Sequence, residues 1–370
     1  MQSDPRIDFV ATNHHLREVS SALAHQPWIV LDTEFLRERT YFPQLCVIQV
    51  AAPGMLIGID ALTIDDWTPF ATLLHNPAIT KVFHAARQDV EALSLSLGAL
   101  PNPIFDTQIA AALLHGIDQI GYAALVQKVL NVALAKTETR ADWSRRPLLE
   151  KHWQYALDDV RYLAPVFRHQ HQLLSENDRL HWLEEDFAVL SNPATYAPDF
   201  KQAWRRVRES GRLSSRELAV LQTLAAWREE TAITRNLPRR WVLDDEVLLA
   251  LAHEAPATLD ALDKVRSIPA DVRERYGDAL LACVAETLAR PAEEWPSTTT
   301  YVPLNPRQKQ LASTLRDEVE KIAAREQLPA TLLASRSTLE NIARTGNAAS
   351  HLRGWRAMLL SNALMRLVEK

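Results

Sequence analysis

Short, almost continuous apolar runs with strand character crowd the first 115 residues, and from residue 201 on there is no strand signal of any length. A run of that kind bounded by turn signals marks a buried strand. Trp28–Asp32, Gln44–Ala52, Met55–Asp60, Lys81–His84 and Pro103–Asp106 read this way. Pro53-Gly54 separates the second run from the third, so these two form a hairpin. Helical patterns occupy His14–His25, Asp65–His75, Ala86–Leu97 and Thr107–His115. An antiparallel pair followed by strand–helix alternation predicts a layered α/β domain. Residues 121–190 read as helical throughout, with Pro147 near the start of the helix that carries Tyr155 and Asp159.

Residues 191–200, SNPATYAPDF, read as a connector, and the remainder contains a repeat. Amphipathic stretches at Glu217–Thr234 and Arg307–Glu326 each run into a Leu-Pro pair, Leu237-Pro238 and Leu328-Pro329. A new helix follows each, near Asp244–Leu251 and Thr338–Arg344. Pro291–Pro306 between the copies has the composition of a linker. The expected division is therefore 1–200, 212–290, a linker at 291–302, and 303–370.

A chain of 370 residues accommodates such a division. The two cysteines, Cys46 and Cys283, are too few and too far apart for a disulfide scaffold or a cysteine-rich zinc module. No segment reaches the ~18 unbroken apolar residues of a membrane helix. Residues 1–17 lack the apolar core of a signal peptide, so a cytoplasmic location is expected. The net charge of −5 is unevenly spread, since residues 1–200 hold 15 Lys/Arg against 24 Asp/Glu. An acidic half and a mildly basic half suit a bound cation in one and a polyanionic partner in the other.

Asp32-Thr33-Glu34 closes the first strand. Residues i and i+2 share a face, so both carboxylates point the same way. They repel unless a cation sits between them, and oxygen-only ligands suit Mg²⁺ or Mn²⁺ rather than zinc. Asp89 lies in the first turns of the helix after the fourth strand, where a carboxylate also complements the helix dipole. Tyr155 and Asp159 lie one turn apart on one helical face. Asp158 points away from them, and Asp106 reads as an N-cap rather than a ligand.

Taken in order, this set resembles the DEDD exonuclease superfamily in its tyrosine-bearing branch, and within it the ribonuclease D family. The neighbouring text carries the resemblance further: Leu31–Phe35, Arg39-Thr-Tyr-Phe-Pro-Gln-Leu45, Ile48-Gln49 and Phe83-His-Ala-Ala86. So do Lys136–Arg140, Asp142-Trp-Ser144, Arg146-Pro-Leu148 and the segment from Tyr155 to Leu163. The repeat resembles the HRDC domain. The resemblance implies a ribonuclease H-like α/β domain, a mixed sheet flanked by helices, followed by two all-α HRDC-type bundles. It also implies that Asp32, Glu34, Asp89 and Asp159 hold two divalent ions, about 3.5–4 Å apart. Tyr155, a poor base at neutral pH, would orient the attacking water. The implied activity is 3′→5′ trimming of RNA to 5′-mononucleotides, most naturally at tRNA 3′ ends, by a monomer with no obligatory protein partner.

Around this centre, Phe35 and Phe42 are candidates to stack on a terminal base. Gln44 and His84 are candidates to approach the substrate. Lys136, Arg140, Trp143, Arg145 and Arg146 form a basic, aromatic-bearing segment of the kind that follows single strands. Arg239-Arg240-Trp241 places two cations beside an aromatic at a loop, within a half whose strongest positive run is Lys201–Arg216. Two other functions fit the same residues. A DNA exonuclease would use the same chemistry, because the site is indifferent to the 2′-OH. A non-catalytic RNA-binding adaptor would have kept the fold, but usually not every ligand.

Overall fold

The computed structural model describes residues 5–117, 119–134, 141–266, 268–296 and 303–369. Its first part runs β1 (Arg6–Val10), α1 (Asn13–Leu23), β2 (Trp28–Leu36), β3 (Gln44–Ala52) and β4 (Met55–Asp60). It continues through α2 (Thr68–His75), β5 (Thr80–Phe83), α3 (Arg87–Leu97), β6 (Ile104–Asp106) and α4 (Thr107–His115). The six strands form one mixed sheet in the order β1-β4-β3-β2-β5-β6. The hairpin is present, with β3 antiparallel to β4, whereas β1 runs parallel to β4 and β2 parallel to β5.

Strand alternation sorts the sheet's side chains into two cores. Ile29, Leu31, Ile48, Val50, Ile57 and Ile59 pack against α1, α2 and α3. Val30, Ala51, Leu56 and Val82 face the opposite layer. In β5, opposite Ile104 of β6, Lys81 is fully buried. Burial pulls its pKa down to about 8. Its three N–H donors reach the carbonyls of Asn76, Ile79 and Asn102 at 2.7, 2.8 and 2.5 Å, which holds the ammonium charged at neutral pH.

β1 has no counterpart in the sequence reading. Arg6 and Asp8 interrupt it, and it lies at the sheet edge with Ile7 and Phe9 46% and 44% exposed, so no continuous apolar run announces it. The reading of 121–190 as unbroken helix is also corrected. The helices are α5 (Tyr122–Leu130), α6 (Glu150–Arg161), α7 (Leu163–Glu176) and α8 (Glu184–Leu190). Asn131 ends α5 with φ 56°, in the left-handed region. Leu149 is the N-cap residue of α6, so Pro147 lies two residues before it, near the start of that helix as expected.

The rest of the described chain has no strand. The repeat is visible in its backbone. α9 (Ser215–Arg235) and α14 (Pro306–Glu326) are both 21 residues long. Each opens on a capping box, Ser214 with Glu217 and Asn305 with Gln308. Each ends on a left-handed residue, Asn236 or Gln327, after which Leu237 N–H and Leu328 N–H bond back to Ala232 and Ala323 at 2.9 Å. A four-residue helix follows each Leu-Pro, α10 (Arg239–Val242) and α15 (Ala330–Leu333), and then a ten-residue helix, α11 (Asp245–Glu254) and α16 (Arg336–Thr345). The first copy adds α12 (Leu259–Leu262) before α13 (Ala270–Leu288), whereas the second passes directly to α17 (Gly354–Val368).

Compactness groups these parts differently from their order in the chain. One unit comprises residues up to 36, 45–196 and 303 onward. In it Leu315, Val319, Ile342 and Leu360 share a core with Leu125, Val160 and Val166. Trp182 stacks on Trp355 at 5.2 Å, and Arg356 reaches Asp186 at 3.2 Å. The other unit comprises residues 37–44 and 197–302, with its own core around Leu221, Leu224, Leu248 and Leu280.

Candidate active site

The centre begins where β2 runs past its buried residues. Asp32 and Glu34 share the face of Val30, and alternation turns Thr33 to the opposite face, toward α3. Thr33 Oγ1 donates to Asp89 Oδ1 at 2.6 Å, which fixes the third carboxylate. Asp89 sits in the first turn of α3. The turn before it is held by Asp106, which accepts from the backbone N–H of Ala85 and Ala86 at 3.1 and 2.8 Å. Asp106 also caps α4 through Gln108 N–H, so the N-cap expected there is present.

α6 brings the remaining groups across the sheet. Gly58 lies opposite Gln49 in the hairpin. A Cβ at Gly58 would lie 2.5 Å from the Trp153 ring, so the missing side chain lets α6 lie close on β4. Phe9 completes that contact, 4.9 Å from Trp153 between ring centroids. Asp159 then joins Asp32 and Glu34, each offering a carboxylate oxygen within 4.8 Å of the others.

Among the described residues, burial and mutual repulsion of the carboxylates dominate the electrostatics of this place. Burial, then repulsion from Asp89, Asp159 and Glu34, raises Asp32 well above the carboxylate range. Burial and the Asp159 and Asp89 charges push Glu34 up to about 8. Asp159 rises to about 7, through burial, Asp158 and Asp89. Asp89 also rises to about 7 by burial, restrained by the Thr33 hydroxyl. Among the described residues the donor set is carboxylate oxygen only, without thiolate or imidazole. That fits a hard divalent cation. Tyr155 is pushed above its ordinary range by burial, then by Asp159, Glu34 and Asp32, so it stays a protonated donor facing the carboxylates.

Two nearby residues carry weight that the sequence did not announce. Tyr122 donates to the Asp158 carbonyl at 2.8 Å, and burial with the Asp159 and Asp32 charges drives its pKa up. Asp60 receives both arms of Arg146 at 2.6 Å. The hairpin's final Asp and the basic segment were the available signals, but nothing in sequence pairs them. Asp158 stays outside the cluster and lies 3.4 Å from Arg161.

The outlying candidates divide. Trp143 is 4% exposed and packs beside Tyr155 and His152, so its expected role as a stacking platform is corrected to packing. Arg146 is likewise corrected, since Asp60 and the carbonyls of Cys46 and Trp143 hold its guanidinium. His84 Nε2–H donates to the Ile120 carbonyl at 3.1 Å and Nδ1 meets Thr107 Oγ1 at 3.0 Å, which leaves no ring nitrogen for a phosphate. Arg239 is engaged by buried Glu229 rather than held out for RNA. Phe35 packs partly into the α1–α3 core and Phe42 against Tyr41. Gln44 and Arg145 are exposed, as is Trp241 at 59%. Arg240 is exposed and lies 3.3 Å from Asp245. Lys136 and Arg140 lie outside the described residues.

Comparison with known proteins places this geometry. Residues 7–174 match a 3′-5′ exonuclease family and residues 217–284 an HRDC domain. The chain is 38% identical to ribonuclease D of Acidiphilium cryptum, over 99% of this chain and 94% of that one. It is 38% identical to ribonuclease D of Jannaschia sp., over 97% and 94%. The crystal structure of Escherichia coli RNase D, described as an exoribonuclease involved in structured RNA processing, superposes with TM-score 0.86 at 30% identity, covering 99% of both chains.

Proposed function

The chain belongs to the ribonuclease D family and is a 3′→5′ exoribonuclease, and we propose that it works through Asp32, Glu34, Asp89, Tyr155 and Asp159 on precursors of structured RNA, tRNA foremost. The observation that carries the assignment is the meeting of Asp32, Glu34 and Asp159 within 4.8 Å, with their pKa values raised by burial and by one another. The four carboxylates are the residues that would hold two divalent ions, Mg²⁺ or Mn²⁺. When bound, such ions supply Lewis acidity at the scissile phosphate.

The chain's own groups do the rest. Tyr155, protonated at neutral pH, donates to the attacking water and aims it in line with the P–O3′ bond. Water adds to phosphorus, the bond to the 3′-oxygen breaks, and a 5′-mononucleotide leaves a chain shortened by one. Thr33 fixes the Asp89 carboxylate through its hydroxyl. Of the candidates on the HRDC module, Arg240 and Trp241 stay exposed and would grip RNA. We assign residues 303–370 to a second HRDC-type module on the shared succession of capping box, left-handed cap, Leu-Pro and paired helices.

The test is a short RNA labelled at its 5′ end and incubated with Mg²⁺, comparing the native chain with Asp159→Asn. A ladder descending from the 3′ end, lost in the variant and in chelator, is expected. Retained RNA binding without a ladder from the native chain would move the adaptor reading ahead. Faster loss of a matched DNA oligomer would reassign the substrate.

A further inference from the structure

The loop between β2 and β3 belongs, by its packing, to the unit built from residues 197–302. Loops ordinarily lie on the surface with polar side chains outward. This one buries Tyr41, 7% exposed, in the core that holds Leu221, Leu224 and Leu248. Tyr41 Oη donates to Glu229 Oε1 at 2.5 Å, and Glu229 is itself 1% exposed. Arg239 lies over the Tyr41 ring at 4.6 Å and donates to its oxygen at 2.9 Å. Arg239 and Arg206 both pair with Glu229, so two cations offset the buried carboxylate's charge while the Tyr41 phenol donates to it. Phe42 N–H donates to Asn236 Oδ1 at 3.0 Å, on the residue that ends α9. Within the loop, Arg37 Nε donates to the Tyr41 carbonyl at 3.1 Å and Thr40 Oγ1 to the Phe42 carbonyl at 2.6 Å.

Chain continuity gives this anchorage a consequence. Arg37 is three residues after Glu34, and Gln44 opens β3, so the gripped segment ties together the ends of the two central strands. We propose that the HRDC module contributes to catalysis by holding this loop, with Tyr41 as a positioning residue that fixes the end of β2 bearing Glu34 and Phe35. The module is then part of what orders the centre, beyond any grip it has on RNA. The proposal rests on the site assigned above.

The full chain carrying Tyr41→Phe, which removes one hydroxyl and keeps the ring, tests it. Two 5′-labelled RNAs are compared, a dinucleotide too short to span the module and a 20-mer. A fall in kcat of about tenfold on both is expected, with KM within about twofold, because ångström-scale looseness at a reacting centre is costly. Glu229→Gln should move the same way. Hydrogen exchange should rise at residues 33–36 as well as within 37–44. Unchanged kcat on the dinucleotide, or a loss confined to KM on the 20-mer, overturns the proposal. If the native chain cleaves neither RNA, the site assignment fails instead. Exchange then decides the loop's hold on β2 independently, and a rise confined to 37–44 would overturn it.

Discussion

Tyr155 is the residue to which the proposed mechanism gives the most specific role. Burial, and then the charges of Asp159, Glu34 and Asp32, hold it protonated rather than making it a base. Tyr155→Phe keeps the ring beside Trp143 and removes only the donor. The variant should lose about a hundredfold in kcat, the scale of one positioned proton donor, while Mn²⁺ binding followed by calorimetry stays near native. Loss of metal affinity instead would transfer Tyr155 from water to ligand positioning. The acidic residues were legible because strand alternation and the i, i+4 helical step fix relative direction within one element. Asp89 needed more, since Thr33 holds its carboxylate and Asp106 the turn before it, both from elements distant in sequence. The cations misled for a related reason. Arg146 and Arg239 look available in a sequence, and only folding brings Asp60 and Glu229 to them.

Among the elements, α6 is the one whose position the chemistry depends on, and Gly58 sets how near it lies to the sheet. Gly58→Val would place branched carbon against the Trp153 ring, which is wedged by Phe9 and cannot retreat without moving the helix. Overpacking of this kind typically costs 1–3 kcal/mol. The expected result is a lowered thermal midpoint together with a loss of exonuclease rate of at least about tenfold, as Tyr155 and Asp159 move off β2. A variant destabilised but fully active would show that α6 is positioned by its other contacts. The hairpin and both Leu-Pro turns were readable because Pro-Gly and Leu-Pro are local signals. β1 was not, because an edge strand that alternates charge with apolar residues carries no buried run. The helical reading failed over 131–134 and 141–149, beginning where Asn131 turns left-handed, a break that helical periodicity does not register.

At the scale of the whole molecule, the repeat invites a picture of two equivalent beads after a nuclease. The buried surface assigns the second copy otherwise. Leu315, Val319, Ile322, Leu339 and Leu364 complete a core begun by Leu113, Val126, Leu163 and Leu174. Arg179 lies 3.7 Å from Glu326, and Pro329 lies against Gly116. A sequence reveals which residues of a helix are apolar, but not which distant helix will cover them, so this partnership could not be read in advance. Ending the chain after residue 302 would therefore expose a nuclease face evolved to be covered. The shortened protein should aggregate, or unfold with a midpoint lowered by roughly 10 °C or more, since a few kcal/mol moves a domain of this size that far. Its Trp182 fluorescence should shift as the Trp355 stack is lost. An unchanged midpoint in a soluble, active chain ending at 302 would mean that residues 303–370 fold as an independent bead, and that their shared core contributes nothing to the nuclease.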